Sequence, residues 1–198
     1  MPDRIVLASS NADKVREINA MLAEHEVRII SQSEFNVPAV AETGLTFVEN
    51  ALIKARNAAR HTGLPAIADD SGIELDALNG LPGIYSARYA GADADDEANL
   101  EKLIEEVRKL PEEQRQARFV CLMVYLRHAE DPIPLIAEGI WEGVAVTTPR
   151  GKNGFGYDPM FYVPAHHCTS AELPPDTKNR LSHRGQALRR LVTQLQSL

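Results

Sequence analysis

The sequence predicts an α/β protein built on a mixed β-sheet. Two observations carry that expectation. Strand and helix patterns alternate through the first 75 residues, and two long strand patterns then meet in the middle of the chain across a short turn. The length, 198 residues, fits one medium domain or two closely joined lobes. With 44% hydrophobic and 25% charged residues the composition is that of a globular protein able to bury a core, not of a disordered chain.

The elements follow in order. Ile5-Val6-Leu7-Ala8 reads as a short buried strand and Ser9-Ser10-Asn11 as the turn after it. A helix is expected from about Ala12, with Val15, Ile18, Met21 and Leu22 on one face. Val27 to Ile30 looks like the next strand. Thr46 and Glu49 stand at capping-box spacing, so a second helix should begin near Phe47 and stop before Gly63. Ala66-Ile67-Ala68 reads as a buried strand entering Asp69-Asp70-Ser71-Gly72, a composition that also suits a turn, and Ile73 to Asp76 alternates like a half-buried strand. Leu100, Leu103, Ile104, Val107 and Leu110 form a helical stripe ended by Pro111. Phe119 to Leu126 and Leu135 to Trp141 read as an antiparallel hairpin. A last helix is expected from about Ser182, with Leu188, Leu191, Val192 and Leu195 inward.

Composition also excludes function classes. No run approaches 18 apolar residues, and Met1-Pro2-Asp3-Arg4 does not open a secretory signal, so neither a membrane span nor export is expected. Cys121 and Cys168 form no CxxC and no disulfide framework, which points to a reducing, cytoplasmic compartment. A formal charge of −7 argues against nucleic acid or an anionic membrane as partner. A small anionic ligand would need local lysines and arginines.

Such clusters exist, each open to two interpretations. Ser9-Ser10-Asn11-Ala12-Asp13-Lys14 joins a strand to a helix start whose N–H groups suit phosphate, and is equally ordinary capping. One of Asp69 and Asp70, which point to opposite faces of a strand, could hold Mg²⁺ or activate water. Glu42 could add a second hard oxygen ligand, or be simply solvated; Lys54 could be a surface lysine. In Asn153 to Pro159 the glycines around Phe155 let backbone approach a flat ligand while the ring stacks on it, or else form a turn that plugs the core. Lys178, His183 and Arg184 place positive charge ahead of and at a helix start, where the dipole opposes it. The Walker pattern fails at Val146 and Asn153, and Gly-x-Gly at 154–156 lacks the helix of a dinucleotide site. His166-His167-Cys168 has no partner at zinc spacing and reads as a loop, and Cys121 as core.

Taken together, these blocks resemble the inosine triphosphate pyrophosphatase family. The similarity lies in Ser-Ser-Asn-x-x-Lys (9–14), Glu-Thr-Gly-x-Thr-Phe-x-Glu-Asn-Ala (42–51) and Ala-Asp-Asp-Ser-Gly (68–72). It continues in Pro-Gly-Ile-Tyr-Ser-Ala-Arg-Tyr (82–89), Gly-Phe-Gly-Tyr-Asp-Pro (154–159) and Ser-His-Arg-Gly-x-Ala (182–187), in the family's order over nearly the whole chain. The resemblance implies Mg²⁺-dependent hydrolysis of dITP, ITP and XTP to the monophosphate and pyrophosphate. It further implies an elongated two-lobed fold around a long mixed sheet flanked by helices, related to the Maf-like proteins, with a cleft between the lobes, and a homodimer. On the matching residues, Asp70 would be the water-activating base and a metal ligand, with Glu42 completing the carboxylate pair. Ser9, Ser10, Asn11, Ala12, Asp13 and Lys14 would cradle phosphates, with Lys54 and Lys178 as further counter-charges and Ser71 beside the ligand. Phe155, Gly156, Tyr157 and Asp158 would hold the base, with His183 and Arg184 donating to its 6-oxo edge. Ala41 departs from relatives that carry an acid there, leaving Glu42 as the one carboxylate at that point. A Maf-like pyrophosphatase and a non-catalytic nucleotide sensor are the rival expectations.

Overall fold

The computed structural model describes residues 4–9, 11–22 and 28–197. Ser10 and Val27, expected in the phosphate turn and the second strand, lie outside the described residues. Seven strands form one sheet in the order β2-β1-β3-β4-β5-β6-β7. They are β1 (Arg4–Leu7), β2 (Arg28–Ser31), β3 (Ala66–Leu75), β4 (Gln116–Leu126), β5 (Leu135–Ala145), β6 (Phe161–Val163) and β7 (Cys168–Thr169). The helices are α1 (Ala12–Leu22), α2 (Phe47–Thr62), α3 (Asp96–Arg108), α4 (Pro175–Leu181) and α5 (His183–Gln196). β1 pairs in parallel with β2 and β3, while β6 is antiparallel to β5 and β7, so the sheet is mixed as expected. Residues 127–134 return β4 directly to its neighbour β5, a connection too short for a parallel crossover.

Chain contacts divide into two compact units. The first comprises Met1–Asp70, Cys121–Gly139 and His183–Leu198; the second comprises Ser71–Val120 and Ile140–Ser182. In the first, strand alternation sorts side chains into two cores. Ile5 and Leu7 of β1 and Ile67 of β3 join Ile18 of α1 and Leu188, Leu191 and Leu195 of α5. Val6, Ala8, Ala66 and Ala68 instead meet Ala51, Ala55, Ala58 and Ala59 of α2. Helices thus cover both faces, which is why β1 reads as an unbroken apolar run. The alanine face of α2 lets that helix lie close on the sheet. Each leucine that α5 buries stabilises the fold by about 1.5–3 kcal/mol.

Local signals set the helix ends. Asn11 caps α1, its Oδ1 accepting from the N–H groups of Asp13 and Lys14 at 3.0 Å each. α2 begins on the expected capping box: Thr46 Oγ1 accepts from Glu49 N, and Glu49 Oε2 accepts from Thr46 N. It ends at Gly63, in left-handed conformation with φ +68°.

In the second unit, α3 and the strands enclose Leu103, Val107, Phe119, Trp141 and Phe161. The Phe161 ring centroid lies 4.6 Å from that of Phe119 and 5.1 Å from that of Trp141. Of the two possibilities at Asp69–Gly72, strand and turn, the strand holds: β3 continues through it. Gly72 serves close approach instead: a Cβ there would stand 2.3 Å from Gly83 O and 2.4 Å from Ser86 Oγ. Cys168, expected in a loop, opens the short strand β7, and α4 is an additional helix.

Asp131 organises the β4–β5 connection. It is buried, and its carboxylate accepts from Arg127 N (3.0 Å), Nε (2.8 Å) and Nη2 (2.6 Å), and from Ile133 N (3.1 Å). Hydrogen bonding from Arg127 holds its carboxyl well below the usual carboxylate range. Its contribution is therefore complete above the unfolded value of about 3.9 and is lost as pH falls toward the depressed folded value. Asp131→Ala should lower urea stability at pH 7 by about 1–3 kcal/mol by leaving backbone donors unmet. The gap between variant and wild type should close as the titration is moved into acid; a gap that widens would refute this account.

Candidate active site

The first unit's site is built from the alternation of β3. Asp69 follows Ile67 on the face covered by α1 and α5, and Asp70 follows Ala68 on the face covered by α2. Each aspartate accordingly finds a different set of cations.

Asp69, 1% exposed, lies 2.9 Å from Lys14 Nζ of α1 and 3.7 Å from Arg184 Nε of α5. Arg184 is itself buried and its Nη1 donates to Glu17 Oε2 at 2.5 Å. Burial opposes the Asp69 charge, but Lys14, Arg184 and Lys54 together hold its carboxyl well below the usual range. The same carboxylates keep the Arg184 guanidinium charged despite its burial. Sequence reasoning left Glu17 unassigned; the available signal was its position three residues after Lys14, on the same face of α1. Cys121 lies in the same buried surroundings, and desolvation pushes its thiol up to about 12, consistent with a core residue and not a nucleophile.

Asp70, 6% exposed, accepts from Lys54 Nζ at 2.7 Å and from Asn50 Nδ2 at 3.5 Å. Lys54 Nζ also lies 3.0 Å from Glu42 Oε1, so the two carboxylates converge on one ammonium. Desolvation pushes the Asp70 carboxyl above its usual range even against Lys54 and Lys14. Desolvation also works against the Lys54 charge, but Asp70, Asp69 and Glu42 outweigh it and raise the ammonium. Asn50 was missed from the sequence. Its Oδ1 accepts from Gly44 N at 2.8 Å, tying the Glu42-Thr43-Gly44 loop to the aspartate. A lone amide on the alanine face of α2 was the sign of it.

Other expected members of this set are also placed in the first unit. Ser9 is buried and its Oγ accepts from Asn11 N at 3.3 Å. Asp13 pairs with Arg16 at 2.7 Å on the surface, and Ala12 is exposed. His183, buried, begins α5, where its carbonyl packs on Gly139: a Cβ at that glycine would stand 1.9 Å from His183 O.

The second unit holds Ser71, Phe155, Gly156, Tyr157, Asp158 and Lys178. Buried Asp158 accepts from Phe155 N (2.9 Å) and Lys178 Nζ (2.6 Å) at Oδ2, and from Ser170 Oγ (2.7 Å) at Oδ1. Lys178, also buried, sits 5.2 Å from the Phe155 ring centroid. Gly154 (φ +74°) and Gly156 (φ +58°) flank Phe155 in left-handed conformations. Phe155 is half-buried and lies outside the aromatic core, whereas Tyr157 belongs to that core and donates to Ser86 O at 2.7 Å. Ser71, half-buried, follows Asp70 on β3.

Among the described residues no group of three or more His, Cys, Asp or Glu side chains is arranged to hold a metal ion. A two-carboxylate set still fits Mg²⁺, which takes one or two protein carboxylates and completes its shell with water and phosphate oxygens. Glu42 and Asp70, which converge on the Lys54 ammonium, would make such a set.

Removing one member of a buried ion network strands the others. Asp69→Ala should therefore cost about 3–5 kcal/mol in chemical unfolding, more than Asp70→Asn, whose partner Lys54 keeps Glu42. Equal losses in the two variants would show that Asp69 is not the structural member of the pair.

Comparison with known proteins agrees with the motif blocks. A family model described as the Ham1 family matches residues 5–194. The chain is 61% identical to a dITP/XTP pyrophosphatase of Thioalkalivibrio sulfidiphilus, with 98% of each chain covered. It is 55% identical to a dITP/XTP pyrophosphatase of Escherichia coli O157:H7, again over 98% of each. Among solved structures, a HAM1 protein from Coxiella burnetii matches with a TM-score of 0.91 and 52% identity, over 98% of this chain and 99% of that one. The Staphylococcus aureus Ham1 protein matches with a TM-score of 0.86 and 40% identity over 98% of each. Motif order, mixed sheet and near-complete coverage thus agree, and the chain belongs to the Ham1 family.

Proposed function

We propose that this chain is a nucleoside triphosphate pyrophosphatase that hydrolyses dITP, ITP and XTP to the nucleoside monophosphate and pyrophosphate. The observation that carries it is the convergence of Glu42 and Asp70 on one cation position, in a family whose relatives bear the name dITP/XTP pyrophosphatase.

Cleaving the α–β anhydride requires a water to lose a proton while it approaches a polyanion. Asp70, its basicity raised by burial, accepts that proton. Glu42 and Asp70 would hold Mg²⁺, which would neutralise phosphate charge. Lys54 bridges the two carboxylates and offers the same ammonium to phosphate, and Lys14, positioned by Asp69, offers a second. Ser9 and the start of α1 complete the cradle, although Asn11 already satisfies two of the helix's first N–H groups.

The base is held by Phe155 stacking and by His183 and Arg184 donating to its 6-oxo edge. The charge of Arg184 is balanced by Glu17 and Asp69, so what it offers a neutral base is hydrogen bonding, not net charge. Adenine presents a donor amino group at that edge, and donor against donor leaves buried polar atoms unpaired. The buried Lys178–Asp158 pair holds the loop that carries Phe155. The resemblance implies a homodimer and the cysteine pattern points to a reducing, cytoplasmic compartment; no described helix is long and apolar enough to cross a membrane.

A panel of dITP, XTP, GTP and ATP with and without Mg²⁺, scored for pyrophosphate against orthophosphate, tests the proposal. Pyrophosphate is expected from dITP and XTP, and only with the metal; orthophosphate as product would overturn it. Asp70→Asn should lower turnover by roughly 10²–10⁴-fold while nucleotide binding persists.

Phe155→Ala should weaken dITP and XTP binding equally, by about 1–3 kcal/mol, because stacking depends on the ring face and not on its hydrogen-bond pattern. Its melting temperature should stay near that of the wild type. A large fall in melting temperature with unchanged affinity would make Phe155 a packing residue.

A further inference from the structure

We infer that Asp96, on the first turn of α3, is a positioning residue for base recognition, acting through the backbone of Gly156. The inference rests on the proposed stacking role of Phe155 and adds a residue to it.

Every observation lies within the second unit. Asp96 Oδ2 accepts from Gly156 N at 3.0 Å, across 60 residues of sequence. On the other side of Phe155, Asp158 Oδ2 accepts from Phe155 N at 2.9 Å. The two peptide N–H groups that bracket the Phe155 Cα are therefore each held by a carboxylate. Fixing both peptide planes fixes φ and ψ at Phe155, and with them the direction in which Cβ and the ring leave the backbone. Glycines on both sides, each in left-handed conformation, supply no side-chain packing to do this.

The two anchors differ in kind. Asp158 is buried and shared among Lys178, Ser170 and the loop, so its removal would disturb much besides Phe155. Asp96 is exposed. It is also not needed as the helix cap, because Asp95 performs that task, its Oδ1 accepting from Ala98 N at 2.8 Å. An acid in the first turn is favoured by the helix dipole, and a carboxylate is a strong acceptor for a peptide N–H. The next residue along, Tyr157, is held separately by Ser86 O at 2.7 Å, and Phe155 O accepts from Asp158 N at 3.3 Å, so the loop as a whole survives loss of Asp96 while the Gly156 N–H loses its partner.

The test is steady-state kinetics on Asp96→Ala and Asp96→Asn. In Asp96→Ala, KM for dITP and for XTP should rise by the same factor, roughly 3- to 10-fold, with kcat retained and the melting temperature unchanged. Asp96→Asn keeps an acceptor oxygen and should recover most of the loss. In a Phe155→Ala background, Asp96→Ala should add nothing, because the ring it positions is gone. An unchanged KM in Asp96→Ala, equal impairment by Ala and Asn, or full additivity with Phe155→Ala would each overturn the inference while leaving the proposed activity standing. A wild-type chain inactive on dITP and XTP would instead overturn the functional proposal, and this inference with it.

Discussion

The burial of Asp69 governs the first unit. An ionised carboxylate taken out of water within β3 is tolerable only if opposite charge is delivered to it. Lys14 reaches it from α1 and Arg184 from α5, and Arg184, equally buried, needs Glu17 in turn. Two helices far apart in sequence are thereby fixed against one strand. Apolar packing along Ile18, Leu188 and Leu191 brings these helices onto the sheet but does not select their axial position. The charges do, because a small slide along the helix axis would separate ammonium from carboxylate.

From that fixed point the neighbouring residue inherits its environment. Asp70 points to the opposite face of β3, where the small side chains of α2 bring Lys54 and Asn50 into reach. One strand thus carries two adjacent carboxylates of opposite character, one held strongly acidic by its cations and the other made more basic by burial. Asn50 extends the arrangement to Gly44, so the Glu42 loop is tied to the strand by a hydrogen bond at each end of a single amide side chain.

What the sequence made legible was local. The capping box at Thr46 and Glu49, the Asn11 cap and the apolar stripe of α5 depend on residues within a turn or two of one another, and all stand where expected. The reason for Gly72 was not legible because it is tertiary: it admits Gly83 and Ser86, which no neighbour in sequence announces. β6, β7 and α4 are too short for periodicity to reveal. Among site residues, the acids Glu42 and Asp70 stood in recognisable blocks. The roles of Glu17 and Asn50 depend on partners 167 and 20 residues away, and a pairing of that kind leaves no mark on the local pattern. Lys178 and Asp158 were both noticed, but not that each is the other's partner.

The order of segments in the two units bears on how the chain is made. Every residue of the second unit, Ser71 to Ser182, has been added before α5 exists. The core around Trp141 and Phe161 therefore needs no residue beyond Ser182, whereas the core of the first unit is incomplete without α5. Until His183 and Arg184 are in place, Asp69 lacks the Arg184 guanidinium, and one face of β1 and β3 has no cover from α5. Completion of the first unit thus waits on a segment that follows the whole of the second unit along the chain.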